Sequence, residues 1–282
     1  MNKDWTIQEL LNWTSNFFRD KGIDEPRLEA EVLLAWVLNK DRVYLYANFD
    51  LPVNPQEREQ YRDFVKRRVQ GEPSSYITGS KEFMSLNFKV THDVLIPRSD
   101  TEILVESVID VVNKDETVKI CDVGTGSGAI AISLAHYLPK ATVYATDIST
   151  KALEVAEENA QNNNVDVSFV WGDLLTPVEA SSPFDIITAN LPYISPDEFR
   201  QLDKSVKDFE PMTALVAEDD GLSLYRRLIP QAYELITDGG YLFFEIGYNQ
   251  GDKAIELVQN FAEVELIRDL AGRDRVIKAR KG

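Results

Sequence analysis

Val118-Lys119-Ile120-Cys121-Asp122-Val123-Gly124-Thr125-Gly126-Ser127-Gly128 sets the fold class of this chain. It begins as a short apolar strand. It ends with three glycines at alternate positions, just ahead of a helical pattern that starts near Ala129. Such spacing lets a ligand approach the backbone where side chains would collide, beside a helix N-terminus. Outward from this loop, strands and helices alternate: 118–120, 129–138, 142–146, 153–162, 167–170, 184–189, 222–235 and 241–246. That rhythm predicts an α/β fold, a mostly parallel sheet with helices on both faces. Val264–Arg268 and Arg275–Lys278, joined through Ala271-Gly272, predict an antiparallel C-terminal hairpin at the sheet's edge.

The first seventy or so residues have a different texture, that of a small helical bundle. Leu10, Leu11, Phe17 and Phe18 begin one apolar stripe. Leu28, Val32, Leu33, Trp36 and Val37 form a second, opened by Asp24-Glu25-Pro26. After the break at 51–55, a third helix is expected over 56–69, with Tyr61, Phe64, Val65 and Arg68 at helical spacing. Beyond Gly71-Glu72-Pro73, Leu86, Phe88 and Val90 alternate with polar residues, so a strand is expected there, paired with Val94-Leu95-Ile96 across Thr91-His92-Asp93. Pro97 to Asp100 then opens a helix that Ser99 or Asp100 is placed to cap. The expected organisation is a helical domain over 1–72, a β-hairpin linker over 73–97 and the sheet domain over 98–282.

Composition narrows the function classes. A chain of 282 residues, 44% apolar, can bury a substantial core. Its formal charge of −17, from 47 acidic against 30 basic residues, argues against a large phosphate-neutralising face and so against direct nucleic-acid binding. Lys66-Arg67-Arg68 and Arg273, Arg275, Lys278, Arg280 and Lys281 are local exceptions, read as solvated faces or helix-end charges. No stretch is long enough to span a bilayer, and Met1 to Trp5 lead into an amphipathic pattern, so a cytoplasmic protein without membrane contact is expected. The lone Cys121 reads as a small buried thiol. His92 and His136 are the only histidines, and no metal site is expected.

Ligands of such folds bind beyond the carboxyl ends of the strands, where Gly124, Thr125, Gly126, Ser127 and Gly128 lie. Taken alone, Gly124-x-Gly126-x-x-Ala129 also fits a dinucleotide fingerprint. Asp147, ending the next strand, suits ribose hydroxyls of either a dinucleotide or S-adenosylmethionine. Asp122 is placed to anchor loop amides or a cofactor ammonium group, and Asp173 to accept from an adenine amino group while Leu174 packs on the ring. Either acid also reads as a turn residue.

Asn190-Leu191-Pro192-Tyr193, at the end of the 184–189 strand, separates these readings. An amide or ring amino group is a poor nucleophile because its lone pair is shared with a π-system. The Asn190 oxygen and the Leu191 carbonyl can each accept one proton of a planar NH₂ group while Tyr193 stacks on its plane. Held so, the nitrogen points its lone pair at the methyl of a sulfonium donor, and no side-chain nucleophile is needed.

On these residues the chain resembles the class I S-adenosylmethionine-dependent methyltransferases. It is most similar to the release-factor glutamine methyltransferase family, whose tetrapeptide is Asn-Pro-Pro-Tyr. The resemblance runs through Gly71-Glu72-Pro73, Tyr76-Ile77-x-Gly79, Glu82-Phe83, Leu95-Ile96-Pro97-Arg98-x-Asp100-Thr101-Glu102, the glycine loop, the tetrapeptide, Phe209-Glu210-Pro211, Asp220-Gly221-Leu222, Glu245-Ile246-Gly247 and Asp269-Leu270-Ala271-Gly272. It implies a Rossmann-like methyltransferase domain and methylation, at N5, of the glutamine in the Gly-Gly-Gln loop of peptide-chain release factors, with S-adenosylhomocysteine as by-product. It also implies catalytic roles for Asn190 and Tyr193, substrate contacts from Asn190 to Tyr193, a cofactor site that includes Asn190, and a helical domain that helps dock the protein substrate. The departure is Leu191, where the family has proline; Pro192 still biases it toward extended geometry. Other classes remain open at this point: a methyltransferase of adenine or guanine amino groups, a nicotinamide oxidoreductase, and a non-catalytic cofactor-binding partner of the translation machinery.

Overall fold

A computed structural model describes residues 5–113 and 115–282; Met1 to Asp4 of the polar lead-in, and Lys114, lie outside the described residues. The chain forms two compact units, one running to Gly79 and including Lys204–Phe209, the other built from Ser80–Asp203 and Glu210–Gly282.

The first unit holds helices α1 (Ile7–Asp20), α2 (Pro26–Val37), α3 (Arg42–Ala47), α4 (Pro55–Val69) and α5 (Ser74–Thr78). Capping boxes open two of them. Thr6 and Glu9 exchange backbone and side-chain hydrogen bonds at α1, as Asn54 and Glu57 do at α4. Pro26 is the first residue of α2. Leu10, Leu11, Phe18, Tyr61, Phe64 and Val65 are buried as their spacing predicts. The second stripe is corrected: the buried seam of α2 runs through Ala30, Leu33 and Leu34, and Trp36 is 46% exposed. A small alanine marks the closest helix contact better than a large aromatic does, and α1 and α2 pack along this seam. Arg67 and Arg68 of the basic run pair with Glu72 and Glu29, so that run is no free cationic face.

The second unit opens with a hairpin of β1 (Ser80–Phe83) and β2 (Leu86–Lys89). This corrects the expected partner. β2 pairs with β1, and Val94–Ile96 form no strand. The two-residue connection has Met84 at φ 50° and Ser85 at φ 58°, the double positive φ of a type I′ turn, without the Asn-Gly signature that would announce it. A 3-10 turn over Ser99–Thr101 leads into α6 (Glu102–Val111), and neither Ser99 nor Asp100 caps it; Asp100 instead pairs with Arg275 at 3.0 Å.

There follow β3 (Lys119–Val123), α7 (Ala129–Tyr137), β4 (Thr142–Asp147), α8 (Thr150–Asn162), β5 (Ser168–Trp171), β6 (Phe184–Ala189), and the short helices α9 (Pro196–Phe199) and α10 (Lys204–Lys207), α10 belonging to the first unit. The order closes with α11 (Ser223–Leu235), β7 (Ile236–Glu245), α12 (Gly251–Leu257), β8 (Glu263–Arg268) and β9 (Asp274–Arg280). The seven-stranded sheet has the order β5-β4-β3-β6-β7-β9-β8, parallel from β5 to β7, with the β8–β9 pair antiparallel at one edge. Strand alternation divides the core: Cys121, Val123, Ile187, Leu242 and Phe244 face α11 and α12, whereas Ile120, Ile186 and Phe243 face α6 and α7.

Gly221 tests the packing beside the tetrapeptide. It sits at φ +85°, and a Cβ there would stand 2.1 Å from the Tyr193 carbonyl oxygen, whereas Gly272, at φ +78°, has open space. Gly221→Ala is expected to cost about 2–5 kcal/mol, strain and overpacking together, and Gly272→Ala about 1–2 kcal/mol of strain alone. Equilibrium urea unfolding of the two variants measures the difference.

Candidate functional site

Strand order reverses between β4 and β6, the neighbours of β3, which puts a crevice outside the carboxyl ends of β3 and β6. Register fills it. Val123 pairs with Thr146 on one side and Ala189 on the other, Ala189 pairs with Phe244, and Glu245 pairs with Val276. The next residues out therefore form one row along the sheet edge: Asp147, Gly124, Asn190 and Glu245, with Arg275 beyond.

A cleft opens on this row. Its walls include Gly124, Thr125, Gly126, Ser127, Asp147, Ile148, Asp173, Leu174, Asn190, Leu191 and Pro192. Gly124, Gly126 and Gly128 all adopt positive φ, and a Cβ at Gly124 would lie 2.6 Å from the Leu191 side chain, so this glycine is required where the loop passes the tetrapeptide. The Asp147 carboxylate accepts from the Gly126 amide at 2.8 Å and from the Ser149 amide at 2.8 Å, tying the loop to the end of β4. Burial raises its pKa against those bonds. Leu174 is buried at φ 50°. Asp173 is half exposed and ion-paired with Arg227.

Two expectations change. Asp122 does not reach the cleft and anchors no loop amide; Asp147 does that. Strand alternation sends Asp122 toward the face covered by α6 and α7, fully buried, where Thr188 donates to its Oδ1 at 2.8 Å. Its Oδ2 and the Thr125 hydroxyl are buried without a partner of good geometry. Burial pushes its carboxyl up to about 7, opposed by the nearby Thr125 and Thr188 hydroxyls and reinforced by the charge of Asp147. Tyr193 does not line the cleft either; its hydroxyl donates to Glu245 Oε1 at 3.1 Å. Burial, then the Glu245 charge, raises the phenol pKa.

Asn190 lines the cleft, and both hydrogens of its amide are taken: Nδ2 donates to Thr101 Oγ1 at 3.1 Å and to Glu245 Oε2 at 3.0 Å. Neither Glu245 nor Thr101 is among the expected site residues; in the sequence they stand only within motifs shared with the family. The available signal was an acid closing the apolar run 241–244: a carboxylate buried at that position must have partners. Glu245 is 1% exposed; burial raises its pKa, opposed by hydrogen bonds from Thr101 and Tyr193 and by the charge of Arg275. Leu191 is buried, and its amide donates to the Tyr225 hydroxyl at 3.0 Å, which in turn donates to the Glu245 carbonyl at 2.5 Å.

Two family models match: the PrmC N-terminal domain over residues 9–79 and the methyltransferase small domain over 99–205. A release factor glutamine methyltransferase of Moorella thermoacetica is 45% identical over 279 residues, covering 97% of this chain and 98% of its own length. The chain belongs to the release factor glutamine methyltransferase family. A second member, from Rhodopirellula baltica, is 38% identical over 98% of this chain and 97% of its own. Among solved structures, a methyltransferase from Pyrococcus furiosus has a TM-score of 0.51 at 17% identity over 80% of this chain and 98% of its own. The 16S rRNA N2 G1207 methyltransferase of Thermus thermophilus, in complex with AdoMet and guanosine, has 0.52 at 14% over 72% and 50%. These two show the shared fold, that of the class I methyltransferases.

Both polar findings are testable. The folded chain keeps on Asp122 a proton that the unfolded chain releases near pH 4, so this carboxyl reduces stability progressively as pH rises from about 4 to about 7, by up to about 1.4 kcal/mol per unit, and by a constant amount above. Urea unfolding of wild type and Asp122→Asn between about pH 5 and pH 8 is expected to move in the variant's favour up to about pH 7 and then level off. Leu191→Pro, which restores the family residue, removes the amide that bonds Tyr225. It is expected to lower stability by about 0.5–1.5 kcal/mol while retaining methyl transfer, since the carbonyl at 191 stays; unfolding and turnover assays check the two halves.

Proposed function

We propose that this chain transfers the methyl group of S-adenosylmethionine to the side-chain amide nitrogen of the glutamine in the Gly-Gly-Gln loop of peptide-chain release factors, in the cytoplasm. The observation that carries this reading is the polarity of Asn190. With both Nδ2 hydrogens held by Thr101 and Glu245, its Oδ1 is left as the acceptor at a cleft it shares with Leu191. A primary amide offers two hydrogens in one plane, and the pair of Asn190 Oδ1 and the Leu191 carbonyl matches that pattern.

The residues present fit the cofactor. The positive-φ glycine loop leaves room for a ligand, and at Gly126 a Cβ would meet nothing within 4 Å. Gly124 to Gly128 would hold the cofactor's amino-acid portion, Asp147 its ribose hydroxyls, and Asp173 and Leu174 its adenine; Asp173 also holds Arg227. When bound, S-adenosylmethionine supplies the electrophilic methyl. The chain's part is orientation: Asn190 and Leu191 hold the two amide hydrogens, and Tyr193, outside the cleft wall, contributes through its hydroxyl bond to Glu245. The N–CH₃ bond would form as the sulfonium's S–CH₃ bond breaks, releasing S-adenosylhomocysteine; one amide hydrogen would pass to solvent as a proton, and Asn190 Oδ1 and the Leu191 carbonyl would stabilise the positive charge that builds on the nitrogen. The first unit docks the release factor; its exposed Trp13, Trp36 and Tyr46 suit a protein partner.

Transfer of labelled methyl to a purified release factor, beside the same factor with its Gly-Gly-Gln glutamine replaced, tests the reaction. Label is expected on the first alone; label on neither, or on ribosomal RNA instead, would overturn it. Asn190→Ala is expected to lower kcat/KM by roughly 5- to 150-fold, about 1–3 kcal/mol, with cofactor affinity by calorimetry unchanged.

A further inference from the structure

Glu245 is buried at the last position of β7, and three neighbouring groups converge on it. Asn190 Nδ2 lies 3.0 Å from Oε2, the Tyr193 hydroxyl lies 3.1 Å from Oε1, and the Thr101 hydroxyl completes the triangle by accepting from Asn190 at 3.1 Å and bonding the carboxyl. Ionised, the carboxylate can only accept, which sets the direction of its bonds from Asn190 and Tyr193. Arg275, held between Asp100 at 3.0 Å and Asp269 at 3.2 Å, supplies the compensating positive charge from the adjoining strand. An asparagine amide has two faces of opposite polarity, and without such a neighbour it can turn to present NH₂ where an acceptor is needed.

We infer that Glu245 is a positioning residue for the proposed methyl transfer: by accepting from Asn190 and Tyr193 together, it fixes the Asn190 amide with Oδ1 toward the substrate. The inference rests on the glutamine-methylating reading above. It goes further by naming the group that sets the polarity of the site. Removing the carboxylate's acceptor character, without removing its bulk, reverses that polarity.

The test is a reciprocal swap. In Glu245→Gln, Tyr193 keeps donating to the remaining oxygen, and the new NH₂ faces Asn190 Nδ2, donor against donor; Asn190 turns and offers its own NH₂ to the substrate. In Asn190→Asp two carboxylates oppose each other. With both changes the bond forms again in the opposite direction, the introduced amide donating to the introduced carboxylate, whose second oxygen still accepts in the cleft. Thr101 adapts because its hydroxyl rotates. Each single variant is expected to lose roughly 100-fold or more in kcat, with KM and cofactor affinity within about twofold of wild type, and the double variant to recover at least about tenfold over either. A residue that only supports the fold gives losses that add. A folded double variant no faster than the slower single one overturns the assignment.

A second readout does not depend on turnover. The Asn190 side-chain amide hydrogens, assigned in a ¹⁵N spectrum by their loss in Asn190→Ala, should exchange slowly in wild type and quickly in Glu245→Gln. Equal exchange in both overturns the positioning role even if activity falls. Slow exchange that Glu245→Gln abolishes, in a wild-type chain that methylates no release factor, supports the role and contradicts the functional reading instead.

Discussion

The pairing register of β3, β6 and β7 is the constraint on which the rest of the site depends. Both faces of the sheet are buried, so a slip of one residue would send each strand's apolar set to the wrong helix layer. With Val123 opposite Ala189 and Ala189 opposite Phe244, the glycine loop, Asn190 and Glu245 must leave the sheet level with one another. No loop has to search for this geometry. It follows from Ile120, Ile186 and Phe243 packing on one side while Cys121, Ile187 and Leu242 pack on the other. The hydrophobic core thus sets the position of polar groups that contribute little to it.

Placing a carboxylate in that row carries a desolvation cost that only well-directed partners offset. Glu245 receives hydrogen bonds from Asn190, Tyr193 and Thr101 and lies near Arg275, itself held by two acids from different segments. Removing one partner leaves the cluster with a less compensated buried carboxylate. Its value lies in direction more than in stability: a fully satisfied acceptor turns an ambivalent amide into a one-way group. Asp122, buried on the same sheet, is less well served: burial raises the pKa of both acids, but Asp122 has one hydroxyl partner of good geometry, whereas Glu245 has three donors and the nearby charge of Arg275.

Much of this was legible in the sequence. The 184–189 strand, the glycine loop and the C-terminal edge hairpin stand where periodicity puts them, and the row's two best-marked members, Gly124 and Asn190, follow directly from their strands. The misreadings have physical causes. Met84-Ser85 carries a type I′ turn without glycine or asparagine, so nothing in the sequence marks Ser80–Phe83 as the first strand of the hairpin. Asp122 looked like a cleft residue because it precedes the loop; period-two alternation takes it beneath. Glu245 lies 55 positions from Asn190 and comes beside it through sheet register, whereas Thr101, 89 positions away, reaches it from the 3-10 turn ahead of α6. The aromatic ring of Tyr193 suggests a stacking platform, but spacing carries no sign of its hydroxyl bond to Glu245.

Family membership narrows the reaction, and the geometry says what the chain contributes to it: an acceptor of fixed polarity beside a glycine-lined cleft. The most direct measurement is a high-resolution structure of this chain with S-adenosylhomocysteine and a release factor. The Gly-Gly-Gln amide nitrogen is expected within hydrogen-bonding distance of both Asn190 Oδ1 and the Leu191 carbonyl, with Asn190 Nδ2 still on Glu245. A glutamine held by other groups, or Asn190 turned so that its NH₂ faces the substrate, would contradict it.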